Sequence, residues 1–315
     1  MIKKPQELSA EGKKFSMILY GEPGIGKTTL ALSAPNPILC DFDRGVLRVR
    51  AEHRKTTVEV SNYDEFLTDI GSAEFKSYET IVVDTAGSMV SMMYAKYDKE
   101  LNTRDPRKIY GAIKSEFSRL TGQIRDVLSK HAIYVFHSTE TEKDGEVVSR
   151  LLCEGSSKDI VWAPCDFGGR IYKRTSKDGG IKRYVNFSSD GKALAKGCHG
   201  IHGEWEIPEL PAGSENNFIK RLIQRAQDNI SAENEAFSEA KEKYKTAIEA
   251  GTEIVAGITD LETANQSMPK IKAIDHALTS EKEIGSMFKK KVKGLGLFYD
   301  HVLGKYTIAP PEGQK

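Results

Sequence analysis

Residues 21–28 read Gly21-Glu22-Pro23-Gly24-Ile25-Gly26-Lys27-Thr28, a complete G-x-x-x-x-G-K-T loop. The run before it, Phe15–Tyr20, reads as a buried strand, and the run after it, Thr29–Ser33, as the start of a helix. Strand, glycine-rich turn and helix, in that order, are the context in which such a loop holds phosphate. Glycines at 21, 24 and 26 let the backbone close around an anion with its N–H groups turned inward, and the helix N-terminus adds partial positive charge. The motif implies ATP on Gly21–Thr29, with Lys27 at the terminal phosphates and the Thr28 hydroxyl on Mg²⁺.

Working outward, the chain alternates strands and helices. Ile38–Asp41, Thr57–Val60, Ile81–Asp84 and Ala132–His137 read as strands, with a helix over Tyr63–Ile70 and helical patterning from Ser88 to Lys130, broken near Asn102–Pro106. This alternation predicts an α/β fold with a mainly parallel sheet covered on both faces. From Val147 the texture changes. Ile171–Arg174 and Ile181–Phe187 flank a turn at 177–180 and predict a hairpin. Pro208, Pro211 and Gly213 read as a linker before a helix over Asn217–Asp228.

From Ser231 the pattern is helical, with Ala236, Phe237, Ala240, Tyr244, Ala247 and Ile248 on one face. Thr259-x-x-Glu262 and Ser280-x-x-Glu283 read as capping boxes, Pro269 as a first helical residue, and Gly294 as the stop after a basic last turn. The expected organisation is a lead-in over 1–13, a core over 14–207, a linker and connecting helix over 208–230, a helical appendage over 231–309 and a tail over 310–315.

Composition narrows the function. The net charge of +1 supplies no global field for nucleic acid or membrane, so any polyanion site must be local. The N-terminus lacks the apolar core of a signal peptide, and no run approaches the roughly 18 apolar residues of a membrane span. Four cysteines in 315 residues suit a reducing cytoplasm. Cys153, Cys165, Cys198, His199 and His202 cluster in sequence, but they lack a C-x-x-C pair and match no zinc spacing. They read as ordinary Cys and His.

Asp84, at the end of a β-branched strand, is the expected second Mg²⁺ residue. A hydrolase also needs a group to take a proton from water. Thr85 and Ala86 offer no acid beside Asp84, whereas Leu39-Cys40-Asp41-Phe42-Asp43 ends in two, either of which is a candidate base.

The pattern apolar-apolar-Asp41-x-Asp43 followed by Arg44-Gly45-Val46-Leu47 resembles the equivalent segment of RecA-like recombinases. That resemblance implies that Asp43 stands where the family carries a catalytic glutamate, on a shorter side chain. It also implies a γ-phosphate sensor at His137 or Ser138. More closely, residues 12–205 resemble phage-encoded RecA-like, AAA-type nucleotide-binding proteins, some of which anneal single-stranded DNA. The matching pieces are the phosphate loop, Pro35-Asn36-Pro37, the Asp84-Thr85 strand end, Tyr110-Gly111 and the His137 strand. Residues 245–303 are more loosely similar to helical tails of phage recombination proteins.

The resemblance implies a RecA-like P-loop core and self-association into an oligomer or filament. It also implies action on single-stranded DNA with phage recombination or replication proteins as partners. DNA contacts are expected after the Asp84 strand, where Arg104, Arg107 and Lys108 interleave with aromatic residues. The stretch 139–146, read as a loop after the sensor strand, is acidic. A further basic stretch, Arg170, Lys173 and Arg174 with Lys182-Arg183-Tyr184 across the hairpin, fits DNA contact, a cationic finger toward a neighbouring subunit, or a solvated face. Two other functions fit the motif: an ATP-driven switch acting on a protein, and a small-molecule kinase.

Overall fold

The computed structural model describes residues 12–143, 145–153, 161–176 and 179–308. The tail read over 310–315, and all but the last two residues of the lead-in, lie outside these. The chain divides into two compact units, Ala10–Ile230 and Ser231 onward.

The first unit is built on β1 (Ser16–Gly21), β2 (Pro37–Asp41), β3 (Thr57–Glu59), β4 (Thr80–Asp84), β5 (His131–Lys143), β6 (Glu146–Leu151), β7 (Phe167–Thr175), β8 (Ile181–Asn186) and β9 (Glu204–Ile207). Its helices are α1 (Lys27–Ala31), α2 (Tyr63–Asp69), α3 (Ala86–Leu101), α4 (Pro106–Gly122) and the first part of α5 (Phe218–Ala256). The sheet has nine strands in the order β3-β2-β4-β5-β1-β7-β8-β9, with β6 paired to the far end of β5. Every neighbour from β3 to β7 is parallel, and β6, β8 and β9 run antiparallel to theirs. This is an α/β core with a mainly parallel sheet covered by helices on both faces.

Alternate residues of each central strand enter opposite layers, as the two-residue repeat of a strand requires. Ile18, Tyr20, Cys40, Val83, Tyr134 and Phe136 join the layer under α3 and α4. Met17, Leu19, Leu39, Val82, Ile133 and Val135 join the layer under α1 and the start of α5. Burial on both faces explains why these strands are unbroken apolar runs. Register then aligns the strand ends. Gly21 pairs with His137 and Asp41 with Asp84, so chemistry-bearing residues from separate strands meet at one carboxyl edge.

In the second unit the remainder of α5 packs with α6 (Leu261–Lys272), α7 (Ser280–Gly294) and the hairpin β10 (Phe298–Asp300)–β11 (Lys305–Thr307). Its core holds Ile258, Ala264, Phe288 and Val292. Gly251 lets α5 approach α7, since a Cβ there would lie 2.5 Å from Ile284.

Several local expectations change. The described part of the stretch 139–146 is not a loop: residues 139–143 are the outer end of β5, and Glu146 opens β6. The first helix begins at Lys27 rather than Thr29. The helices expected at 217–228 and from 231 onward are one 39-residue helix. The face expected from Ala236 packs only from Tyr244 onward, and Phe237 is exposed. The α6 capping box is Asp260 with Thr263, one residue past the expected pair, because the Asp260 carboxylate accepts from the N3 amide. At α7 the Thr279 hydroxyl bonds Glu283, and Ser280 instead accepts from the Ala277 amide, so the expected box does not form. Pro269 lies inside α6 near its end, not at its start. Gly294 is the last residue of α7, and the left-handed glycine that follows is Gly296.

Candidate functional site

The phosphate loop leaves β1 at Gly21, where a Cβ would stand 2.5 Å from the Ile171 carbonyl oxygen of β7. It enters α1 through Gly26, whose φ of 95° side chains rarely adopt. Lys27 is buried, and its Nζ donates to the Glu22 carbonyl at 2.8 Å, curling the side chain over its own loop. Burial holds its pKa below the usual lysine range, partly opposed by Asp84 and Asp43. The carbonyl is a neutral acceptor that a phosphate oxygen, carrying charge, outcompetes.

Thr28 and Asp84 meet across the two strand ends, with the Thr28 Oγ1 donating to Asp84 Oδ2 at 2.5 Å. Burial pushes the Asp84 carboxyl up to about 6; the Thr28 bond opposes this, and Asp41 and Asp43 add to it. A hydroxyl and a desolvated carboxylate converging in this way are hard oxygen donors of the kind Mg²⁺ takes. The chemistry of the donor set therefore fits the ion, as the inward-facing loop fits the phosphates.

The two acids of the second strand have different surroundings. Asp41 is buried and accepts from the backbone amides of Asp43, Gly45 and Val46 at 3.2, 2.9 and 2.8 Å. Its lone pairs are occupied in shaping the turn after β2. Asp43 reaches the cleft. It accepts from the Thr85 Oγ1 at 3.0 Å and from the Ser88 hydroxyl, so β4 and α3 fix its orientation.

His137 joins the two arms. Its Nδ1 lies 3.1 Å from Lys27 Nζ and its Nε2 3.9 Å from Asp43 Oδ2. A lysine ammonium only donates, so Nδ1 is the acceptor and the ring proton sits on Nε2, facing Asp43. Burial, then the Lys27 charge, lowers the His137 pKa, which keeps the ring neutral at pH 7.

Lys27, Thr28, Thr29, Asp41, Asp43, Asp84, Thr85 and His137 thus line one cleft of about 140 Å³ with Gly24 and Gly26. Ser138 follows His137 on the strand, pairs with Leu151 of β6, and does not line this cleft.

The basic residues expected to touch DNA or a neighbour are dispersed. Arg104 and Lys108 are exposed, and Arg107 is bound to Asp105 at 3.0 Å. Arg174 makes two bonds to Glu204, at 3.0 and 2.6 Å, and stacks on Tyr184. Arg170 stacks on Tyr172, and Lys173 is exposed. Among the described residues no group of three or more His, Cys, Asp or Glu is placed to hold a metal, and no helix is long and apolar enough to cross a membrane.

Sequence reasoning missed Thr85 and Ser88 as the holders of Asp43, and Arg48 as a lining residue of the cleft. The hydroxyl three residues after Thr85, on the same helical face, was the available signal for Ser88. Arg183 was read only as part of a basic hairpin. In the fold its Nη1 donates to the Ile25 carbonyl at 3.3 Å, inside the phosphate loop.

A family described as an AAA domain matches residues 13–199, more than half of the chain. Among curated proteins none matches. Among solved structures the chain is similar to the flagellar accessory protein FlaH from Methanocaldococcus jannaschii, at 11% identity over 55% of this chain and 76% of that chain, with a TM-score of 0.30.

Proposed function

The chain belongs to the AAA domain family, and from that premise we propose that it is a Mg²⁺-dependent ATPase of a phage or mobile element, acting on single-stranded DNA in recombination or replication. The observation that carries the ATPase reading is the meeting of Lys27, Thr28, Asp43, Asp84 and His137 in one cleft. Lys27 exchanges the Glu22 carbonyl for a terminal phosphate oxygen. Thr28 and Asp84 would hold Mg²⁺, which would offset the negative charge of the terminal phosphates. Asp43, oriented by Thr85 and Ser88, takes the proton of the attacking water at its carboxylate. His137, bonded to Lys27 and facing Asp43, senses whether the terminal phosphate is present. The proposed setting is the cytoplasm, with self-association into an oligomer.

The DNA part of the reading rests on the resemblance of residues 12–205 to phage-encoded nucleotide-binding proteins, some of which anneal single-stranded DNA, and on the exposed Arg104 and Lys108. It is tested by ATP turnover with and without single-stranded DNA across a salt series. Stimulation that fades with salt is expected, because phosphate contacts release counterions. Absence of both stimulation and salt-sensitive binding removes it. A second reading, a nucleotide switch acting on a protein, is favoured by the pairing of Arg107 with Asp105 and of Arg174 with Glu204, which leaves those arginines less available to a DNA backbone.

A further inference from the structure

A cavity of about 480 Å³ lies at the β9 end of the sheet, between that strand and α5. One wall is Trp205 of β9. The other is a face of α5 on which Phe218, Arg221, Leu222 and Arg225 recur at helical spacing. None of these residues lines the phosphate cleft.

The strand alternation sorts charge between the two faces of β9. Glu204 and Glu206 flank Trp205 in sequence, so they point away from it. On that far face Arg174 bonds Glu204 at 2.6 Å and Lys182 lies 3.0 Å from Glu206. The α5 face is different. The Arg225 guanidinium stands 5.2 Å from the centre of the Trp205 ring, and Arg221 lies one turn before it on the helix. Both arginines are exposed, and among the described residues neither pairs with a carboxylate. The single carboxylate of the wall, Asp228, accepts from Gln224 Nε2 at 2.8 Å. The cavity therefore joins an aromatic floor to unmatched positive charge.

These two features select a ligand that carries a flat ring and an anion together. A nucleobase stacks on an indole face or on a guanidinium plane, and the phosphates beside it take the arginine donors. The volume lies in the range of sites that enclose a small flat molecule, about 300–1,000 Å³. Because β9 is the last strand of its sheet, no further described strand closes that side, and a longer chain can run past it. In a duplex the bases are already stacked on one another, so the free π-face has to come from a single strand.

We propose that this face binds single-stranded nucleic acid, with one base stacked at Trp205 and the adjoining phosphates on Arg221 and Arg225. This rests on the single-stranded-DNA part of the proposed function and gives it a surface apart from Arg104 and Lys108. The same end of the helix is anchored to the nucleotide side of the fold. Asn216 Nδ2, just before α5, donates to the Thr29 carbonyl at 2.7 Å, and the Ile219 amide donates to Ser33 Oγ at 2.9 Å.

The test is fluorescence anisotropy of a labelled oligothymidylate of about 20 nucleotides with the full chain across a salt series. Trp205→Ala should weaken binding by about tenfold, and Trp205→Phe, which keeps a ring, should recover most of that loss. The double variant Arg221→Ala/Arg225→Ala should weaken binding and flatten the slope of log affinity against log salt by about 1.4. Wild type should bind an abasic strand of equal length about tenfold more weakly, an arm that needs no variant. Basal ATP turnover without DNA should not change in the Trp205 variants, and circular dichroism shows that each variant is folded. Unchanged affinity in folded Trp205→Ala, or equal wild-type affinity for the abasic and the full strand, overturns the assignment and leaves the DNA reading standing. Displacement of the strand by poly-glutamate as readily as by unlabelled oligothymidylate gives the face to an acidic protein segment instead and also overturns it. If wild type binds no single strand at any salt, the DNA reading itself falls, and this assignment with it.

Discussion

The parallel and antiparallel parts of the sheet handle charge in opposite ways. At the carboxyl edge of the parallel strands, charges are crowded and desolvated. Burial lowers the Lys27 pKa and raises that of Asp84, and neither is matched by a full ion pair. On the β7–β9 side the charges sit in water and are paired. Arg174 is held by Glu204, and Lys182 lies 3.0 Å from Glu206. A folded chain keeps costly, unmatched charges where a ligand completes them and neutralises the rest locally. Arg183 is the informative exception: it is rooted in the antiparallel part but turned into the phosphate loop.

The sharpest way to break this contrast is Lys27→Ala. Removing a desolvated cation from a phosphate site costs about 2–5 kcal/mol, so ATP affinity should fall about a thousandfold and turnover should vanish. Unchanged turnover would place the site elsewhere. Asp43→Asn comes next. It keeps the shape and one of the two bonds accepted from Thr85 and Ser88 but cannot take a proton. Hydrolysis should fall by about 10²–10⁴-fold with ATP binding nearly unchanged, as read by single-turnover assay and titration. Retained hydrolysis would assign the base to another group.

Asp84→Asn should separate function from stability. The folded carboxyl titrates near 6, above the ordinary 3.8 of the unfolded chain. The folded state therefore holds the extra proton between these values, and stability falls as pH rises through that window. Asparagine has nothing to ionise. Without metal and nucleotide, the variant should gain on wild type from pH 4 upward and level off near pH 7, by about 3 kcal/mol. Chemical denaturation across pH reads this directly, and a gap that is flat with pH refutes the desolvated carboxylate. The smallest effect belongs to Arg174→Ala. An exposed pair contributes little, so turnover should change by less than about twofold. A tenfold loss would instead mean that Arg174 leaves Glu204 for a phosphate on a neighbouring subunit.

Much of this edge is legible in the chain itself. The phosphate loop is local in sequence, and Asp84 is marked by the β-branched run that ends in it. The choice between Asp41 and Asp43 is not, because it depends on which carboxylate the following backbone amides capture. Arg183 and the segment 208–217 are harder still. They reach Ile25 and Thr29 through contacts more than 150 residues apart in sequence, which no local pattern encodes. The α6 cap was missed by one residue for a humbler reason: adjacent Thr259 and Asp260 are both good caps, and geometry chooses between them.

The position of β5 has a mechanical consequence. Up to Val135 the strand is laced on both edges, to β4 and β1, and from Ser138 its only partner among the described residues is β6. His137 is the last residue still bound to the phosphate-loop strand, so stiffness drops immediately after it. A push on His137 therefore meets paired strands behind it and, among the described residues, a two-stranded arm ahead of it.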